Sequence, residues 1–289
     1  LRWGWTSLAK RLDALPPAWM AFMFTLIIGG VTLAVPIAAA SIGAIPSILL
    51  IIFFCIVSMV TIAAMAESVT RSGGIRYGNA FLGRVVGNYL GQASSVLITV
   101  VLTAFSFGLL LIFYLGISST LEGSTGLPAE VWLIVLFGVG LYFLTRGSLN
   151  VTVAFSFLIT IINTILLFII GFLALSRFNA DYLTYTNLPF LNGEPFNPVI
   201  YASIIGVIMG LFSAHMMVGV FGKMILERDP SGRALVRGHP AGILAVGLIN
   251  IFWVVAVNGS VPPAELVAES GTALVPLTAQ FGQLVGVLG

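Results

Sequence analysis

The chain has 289 residues, of which 59% are hydrophobic and only 8% are charged. An average soluble domain has about 25% charged residues, so a water-soluble fold is excluded because so few charged side chains could not cover its surface. The basic residues behind the net charge of +2 are scattered over the chain rather than gathered into one patch, which indicates no nucleic-acid partner. The expected environment is a lipid bilayer.

Seven apolar runs are predicted to cross this bilayer, whose core is about 30 Å thick and needs about 20 apolar residues per helix. The runs do not alternate between apolar and polar residues, as barrel strands would, so they are predicted to be helices. In chain order, segments 1 to 7 cover residues 19–40, 46–66, 91–120, 131–144, 151–175, 199–226 and 241–258. An eighth segment begins near Leu274.

The positions of the basic residues predict the orientation, because Lys and Arg near span ends favour the cytoplasmic side. With the N-terminus inside, all of the 12 Lys and Arg residues except Arg177 fall on the inner side. This distribution fits seven complete spans and disfavours a rhodopsin-like receptor, which also has seven spans but starts outside. The prediction is a multi-pass protein of the cell membrane, plasma or inner.

Segments 1 and 6 each carry a feature that weakens a helix near mid-membrane. In segment 1, the pair Gly29 and Gly30 is followed by Pro36, and both glycine and proline weaken helical hydrogen bonding. In segment 6, Ser213 and His215 place polar groups at the centre of the span. Freed backbone groups are tolerated at bilayer depth only beside protein or a water-filled cavity, so a binding site is expected there. A kink with close packing at glycine is the alternative for segment 1.

Each of the two interrupted segments would be the first helix of a set of five. Segments 1 to 5 are an odd-numbered set, so a second set that starts at segment 6 must run in the opposite orientation, as in the inverted repeats of secondary transporters. Residues 1–176 would form the first repeat, and residues 177–289 an outer loop with an incomplete second repeat. We therefore expect a truncated piece of a longer transporter, which would not transport alone.

Four stretches carry a resemblance to a known family. The run at 30–40 is similar to the family's first-helix pattern, glycine then Met/Ile-Leu-Ala-Leu-Pro followed by small residues. Glu67, at the end of segment 2, stands where such permeases often have a glutamate. Phe-Ser-Ala-His at 212–215 looks like Phe-Gly-Phe-His, and Val-Pro-Leu at 275–277 looks like the Pro-Leu that opens helix 8. The chain thus resembles the aromatic and hydroxy amino acid permeases of the amino acid/auxin permease group, within the amino acid-polyamine-cation superfamily.

The resemblance implies an all-α, LeuT-type inverted-repeat fold and secondary active transport of an amino acid, aromatic or another neutral one, by alternating access around broken helices 1 and 6. It implies a proton as the coupling ion, with sodium as the alternative, and neither a cofactor nor a resident metal. His215 and Glu67 would act in coupling or gating. The implied substrate-binding residues are Gly29, Gly30, Val31, Thr32, Phe212, Ser213, Ala214 and His215.

The ionisable residues also have structural interpretations. An ionisable residue inside a span costs several kcal/mol unless it is paired or hydrated, which favours a functional role for His215 over a packing role. Glu67 precedes Arg71 by four positions, so a structural salt bridge is favoured over a coupling role. His239 lies beside Pro240 in a basic stretch and is predicted to be solvated in an inner loop.

Three asparagines and one cysteine lie within or at the ends of spans. Asn163, Asn250 and Asn258 would line a transport path or, as we favour, form hydrogen bonds between helices. Cys55 is the single cysteine of the chain and is predicted to be a small, buried apolar side chain.

Two other functions compete with transport. An intramembrane enzyme is disfavoured because no Asp lies inside a span and neither Gly-x-Ser-x-Gly nor His-Glu-x-x-His occurs. An ion or small-solute channel is the alternative, although the sequence has no repeated carbonyl filter or ring of acidic residues. The sequence does not indicate an oligomeric state.

Overall fold

The computed structural model describes residues 15–26, 29–72, 81–145, 149–188, 196–269, 272–282 and 285. Within these ranges the regular structure is entirely helical, which confirms the predicted all-α class. The loop after segment 2 that contains Arg76 lies outside the described residues.

Segment 1 contains two helices, α1 (Pro17–Leu26) and α2 (Val35–Ala40), with a 3₁₀ helix at Gly29–Ala34 before α2. The helices that follow are α3 (Ala44–Ser72), α4 (Phe81–Leu90), α5 (Gln92–Thr125), α6 (Ala129–Thr145), α7 (Leu149–Leu175), α8 (Ala180–Thr184), α9 (Pro198–Leu211), α10 (His215–Leu226), α11 (Arg233–Asn258), α12 (Pro263–Ala268) and α13 (Leu274–Phe281).

Among the described residues, 5 stretches are long and apolar enough to cross a membrane. They are Ala44–Arg71, Gln92–Gly123, Ser156–Leu175, Pro198–Leu226 and Arg233–Asn258. The bent segment 1 would be a sixth, while the apolar part of α6, Ala129–Phe143, is shorter than the usual span of about 20 residues. The multi-pass membrane class is thereby confirmed, whereas the count of seven spans stays a prediction.

Local sequence signals explain several helix ends. Pro198 opens α9, and the preceding Asn197 accepts hydrogen bonds through Oδ1 from the backbone N–H groups of Val199, at 3.0 Å, and Ile200, at 3.4 Å. This is an N-cap followed by proline in the first turn, where proline has no hydrogen bond to lose. At the other end of a long span, Gly126 closes α5 with a φ of +73°, a conformation that favours glycine.

The main core joins the helices of segments 1, 2, 6 and 7. Its members include Phe24 of α1, Ile62 of α3 and Ile243 of α11, all fully buried. The ring of Phe24 stacks on that of Phe221 in α10, with 3.8 Å between the ring centroids. By contrast, the outward faces of α5 and α6 expose large apolar side chains, as expected for surfaces that meet lipid.

A second buried cluster joins α2, the end of α7, the end of α11, α12 and α13. It includes Ala40, Ile170, Trp253 and Leu277. The start of the predicted segment 8 therefore packs against segments 1, 5 and 7. No finding divides residues 1–176 from residues 177–289, so the two-repeat division stays a prediction.

The prediction that His239 lies in a solvated inner loop is wrong. Helix α11 begins at Arg233, eight positions before the predicted start of segment 7, and His239 is 0% exposed. Arg233 and Arg237 are both exposed because residues four apart share a helix face, whereas His239 lies on the face that meets α1. The charges that indicated a loop thus mark one side of a helix.

Candidate functional site

Segment 1 is bent between its two helices, and its role as a broken transport helix stays a prediction. The axes of Pro17–Leu26 and Val31–Ala40 differ by 42°. Pro36 lies in the first turn of α2, where it has no helical hydrogen bond to lose and its fixed φ favours the start of a helix. The carbonyl oxygen of Leu33 accepts a hydrogen bond from the backbone N–H of Ala273, at 3.2 Å. A carbonyl group at the bend is therefore satisfied by the chain that enters segment 8, as a membrane environment requires.

Segment 6 is interrupted by a turn that separates α9 from α10. The backbone N–H of Phe212 donates to Met209 O at 3.2 Å, and that of Ser213 donates to Gly210 O at 3.3 Å. The Ser213 hydroxyl also donates to Gly210 O, at 2.7 Å. Both helices belong to one apolar stretch, Pro198–Leu226. The hydrogen bonds between residues three apart therefore form a tighter turn within a single apolar stretch.

The two interruptions are neighbours in space. A Cβ placed on Gly210 would lie 3.9 Å from both Cγ atoms of Val31, and both residues are buried. The structure therefore brings the 3₁₀ helix of segment 1 against the end of α9, directly before the turn at Phe212. One of the two residues is a glycine and the other a valine, so backbone atoms and an apolar side chain form this contact.

His215 opens α10 and has a hydrogen-bond partner for each ring nitrogen. Its Nδ1 lies 3.2 Å from the carbonyl oxygen of Phe212, which can only accept, so Nδ1 carries a hydrogen. Its Nε2 lies 2.7 Å from Oγ1 of Thr61 in α3, and this hydroxyl is also 3.0 Å from Val57 O. When the ring is neutral, Thr61 donates to Nε2.

The same contacts can hold a protonated imidazole. Nε2–H would then donate to the Thr61 oxygen, and the Thr61 hydroxyl would donate to Val57 O instead. A rotation of one hydroxyl hydrogen therefore accommodates the gain or loss of a proton at His215 with both hydrogen bonds of the imidazole kept, while the bond from Thr61 to Val57 O forms only in the protonated state. Thr61 is exposed and His215 is half-buried, so the pair lies at the edge of the core between α3 and α10.

Thr32 faces a different place. It lines a cavity of about 210 Å³ between segments 1, 5 and 7. The lining residues are Leu26, Thr32, Ser156, Ile159, Thr160, Asn163, Thr164, Leu167, Val246, Ile249 and Asn250. None of the predicted residues at 212–215 is among them, since Phe212 and Ala214 are buried in the main core and His215 contacts α3. The structure thus separates Thr32 from His215.

Sequence reasoning missed three polar residues of this cavity. Ser156, Thr160 and Thr164 follow at intervals of four on one face of α7, and Asn163 completes the polar face. The signal was present as a four-residue spacing of hydroxyl groups in an apolar run. It was overlooked because single Ser and Thr residues are common in membrane helices, where they bond to their own backbone.

The asparagines differ in their contacts. Asn258 is buried and donates through Nδ2 to Pro36 O at 3.1 Å, which confirms the predicted bond between helices. Asn250 donates within its own helix, to Val246 O at 2.8 Å, so the predicted bond between helices is not made there. Asn163 lines the cavity.

Glu67 has the local partner predicted for it. Its Oε1 lies 2.5 Å from Nη2 of Arg71, one helical turn further along α3, and both side chains are mostly exposed. The structural salt bridge is confirmed, and the coupling role of Glu67 stays a prediction.

Cys55 is buried and free, also as predicted. Within the described ranges, no three His, Cys, Asp or Glu residues come together in a way that would hold a metal ion.

These long apolar helices define a multi-pass membrane protein, and a partly polar cavity beside segment 1 fits a permease. The model of the tryptophan/tyrosine permease family matches residues 20–284, and the chain belongs to this family. No curated protein and no solved structure matches the chain. Family membership supports an aromatic amino acid permease and implies an amino acid substrate, and it favours a transporter over an enzyme. The wider superfamily and the LeuT-type fold stay predictions.

Proposed function

We propose that the protein is a secondary transporter that carries an aromatic amino acid across the cell membrane together with a proton. Transport would proceed by alternating access around the interruptions in segments 1 and 6. Three features support this proposal: membership of the tryptophan/tyrosine permease family, the contact between Val31 and Gly210, and the two hydrogen bonds of His215.

The hydrogen bonds of His215 carry the proton part of the proposal. A coupling residue must gain and lose a proton inside the membrane, and histidine is the side chain that does so near neutral pH. Because Thr61 can act as donor or acceptor, His215 keeps its partners in both states. A hydrogen bond from a charged imidazole is stronger than one from a neutral ring, so protonation would tighten the contact between α3 and α10.

The interruption at segment 1 supports the substrate part of the proposal. Backbone groups of Gly29 and Gly30, with the neighbouring Val31, would receive the charged end of the amino acid, because helix ends present unpaired N–H and C=O groups. The turn at Phe212 would form the facing wall. The LeuT-type arrangement of two inverted repeats remains part of this proposal.

The test is uptake of labelled tryptophan, tyrosine, phenylalanine and leucine by the full-length protein in proteoliposomes. We expect saturable uptake of the aromatic amino acids that is driven by an inward proton gradient, abolished by a protonophore and competent for counterflow. Uptake driven only by a sodium gradient would show that sodium, and not the proton, is the coupling ion. An unsaturable, ohmic current would indicate a channel, which no feature of the described residues favours.

A further inference from the structure

The cavity between segments 1, 5 and 7 is apolar on one part of its lining and polar on the other. The apolar part is formed by Leu26, Ile159, Leu167, Val246 and Ile249. The polar residues contribute hydroxyl and amide groups, and the lining contains no charged residue. At about 210 Å³ the cavity is smaller than the ~300–1,000 Å³ of pockets that enclose a whole drug-sized ligand, so it suits one part of a small molecule.

Two hydroxyl groups of this lining, those of Thr160 and Thr164, can act as acceptors. Thr160 donates its hydroxyl hydrogen to Ser156 O at 2.8 Å, and Thr164 donates to Thr160 O at 2.8 Å. A hydroxyl has one hydrogen and two lone pairs, so each of these oxygens has only lone pairs left to offer a ligand.

Asn250 adds a stronger acceptor. Its Nδ2 lies 2.8 Å from Val246 O, and because a carbonyl oxygen only accepts, this contact fixes which way the side-chain amide points. The other end, Oδ1, is buried and has no hydrogen-bond partner among the described residues. Asn250 is 1% exposed and is one of the residues that line the cavity. Buried acceptors are costly to leave unpaired, so a hydrogen-bond donor placed beside Asn250 Oδ1 would be stabilising.

A ligand that fits this lining is a flat apolar group with one hydrogen-bond donor. The indole ring of tryptophan has an N–H and the phenol ring of tyrosine has an O–H, whereas the phenyl ring of phenylalanine has no donor. A bare cation fits less well, because five apolar side chains share the lining and no carboxylate is present.

We propose that this cavity receives the aromatic side chain of the substrate and that Asn250 Oδ1 accepts the hydrogen bond from an indole N–H or a phenol O–H. The inference rests on the proposed transport of aromatic amino acids. It predicts a preference for tryptophan and tyrosine over phenylalanine that depends on one acceptor in segment 7, with Thr160 and Thr164 of segment 5 as further acceptors. Sites that pair with a polar group of the substrate reject analogues that lack it.

The test compares KM values for labelled tryptophan, tyrosine and phenylalanine in the full-length protein reconstituted in proteoliposomes. Asn250→Leu removes the acceptor at similar volume, and we expect it to raise KM for tryptophan and tyrosine roughly tenfold or more while KM for phenylalanine stays the same or falls. Asn250→Asp keeps an acceptor oxygen and should retain the preference. These two results together would support the subsite.

A second pair of variants covers the case in which Asn250→Leu fails to accumulate. Thr160→Val should raise KM for tryptophan and tyrosine by about threefold and leave phenylalanine unchanged, because one neutral hydrogen bond contributes modestly. Thr103→Val is the matched control, since Thr103 also donates to its own helix, at 2.8 Å from Thr99 O, but lies on the exposed face of α5.

The overturning outcomes are distinct. An equal rise of KM for all three substrates, a loss of gradient-driven uptake irrespective of substrate, or no change in either Asn250→Leu or Thr160→Val would overturn the subsite and leave the transport function standing. The loss of gradient-driven uptake irrespective of substrate would indicate that the cavity holds the coupling cation. Absence of any aromatic amino acid uptake by the wild-type protein would instead overturn the proposed function, and the subsite with it.

Discussion

His239 Nδ1 lies 2.9 Å from Thr25 Oγ1, and both side chains are fully buried where α11 meets α1. The Thr25 hydroxyl is also 3.1 Å from Ala21 O. Glycines flank the histidine on α11, and a Cβ on Gly242 would lie 2.5 Å from Thr25 Cβ, so the two backbones approach closely. The N-terminal part of α11 is thus joined to α1 by close packing and one polar contact.

The first prediction concerns this contact. His239→Ala removes a buried ring and its hydrogen bond, and we expect it to lower the free energy of unfolding by about 2–4 kcal/mol, the range for large-to-small core substitutions. The measurement is thermal unfolding of the purified protein in detergent. Arg237→Ala is the matched control, since Arg237 is exposed on the same helix. Equal stability of the two variants would show that the contact contributes nothing.

The second prediction concerns His215. His215→Ala and His215→Gln should reach the membrane but lose most proton-driven accumulation, because neither side chain titrates in the range of histidine. His215→Gln should keep counterflow exchange, which needs no net proton movement. Thr61→Val should weaken accumulation less, since it removes only the partner of Nε2. Normal accumulation and pH dependence in His215→Gln would make His215 a packing residue.

The third prediction uses the close approach of α11 to α1. A Cβ on Gly238 would lie 2.5 Å from Ala21 Cβ and 2.6 Å from the backbone oxygen of Ala18. Gly238→Ala should therefore lower stability by about 1–3 kcal/mol, as overpacking does. At Gly116 of α5 a Cβ meets nothing within 4 Å, so Gly116→Ala should be neutral or slightly stabilising. Thermal unfolding in detergent measures both, and a tolerated Gly238→Ala would contradict the packing.

The fourth prediction concerns membrane orientation. In a background without Cys55, the single native cysteine, Gly123→Cys should react with an impermeant maleimide added outside sealed cells. Ser231→Cys should react only after permeabilisation, because the basic residues place the turn before α11 inside. Labelling of Ser231→Cys in sealed cells would reverse the orientation of that turn. Asn192, a further outer position by the charge distribution, lies outside the described residues.

The fifth prediction concerns Asp229, in the turn between α10 and α11. The hydroxyl of Ser231 donates to Oδ1 at 2.5 Å and the backbone N–H of Ala234 donates to Oδ2 at 2.7 Å. These hydrogen bonds lower the pKa of the Asp229 carboxyl below its ordinary value of 3.8, and the bond from the Ser231 hydroxyl has the largest effect. A lowered folded-state pKa means that the carboxylate stabilises the fold above the unfolded-state pKa and that this contribution is lost as pH falls through the folded-state pKa.

Asp229→Asn should accordingly be less stable than the wild-type protein at pH 7, by less than about 1 kcal/mol because the group is near solvent. The difference should shrink as pH falls below 3.8, the ordinary pKa of the carboxyl. Melting curves in detergent at pH 7, 5 and 3 measure it. A difference that grows toward low pH would have the wrong sign for this explanation.

The sequence by itself determined the membrane class and the predominantly helical structure. These properties depend on composition and run length, which are readable along the chain. The pairing of Glu67 with Arg71 was equally accessible, because residues four apart on a helix are neighbours whatever the rest of the fold does.

Only the tertiary structure decided which helix faces meet. The burial of His239 depends on the face that α11 turns toward α1, and the cavity at Asn250 exists because α7, α11 and segment 1 converge there. Helix pairing in a bilayer is governed by close packing and by hydrogen bonds between distant positions. In a chain whose apolar faces are nearly uniform, periodicity does not distinguish the side that meets lipid from the side that meets protein.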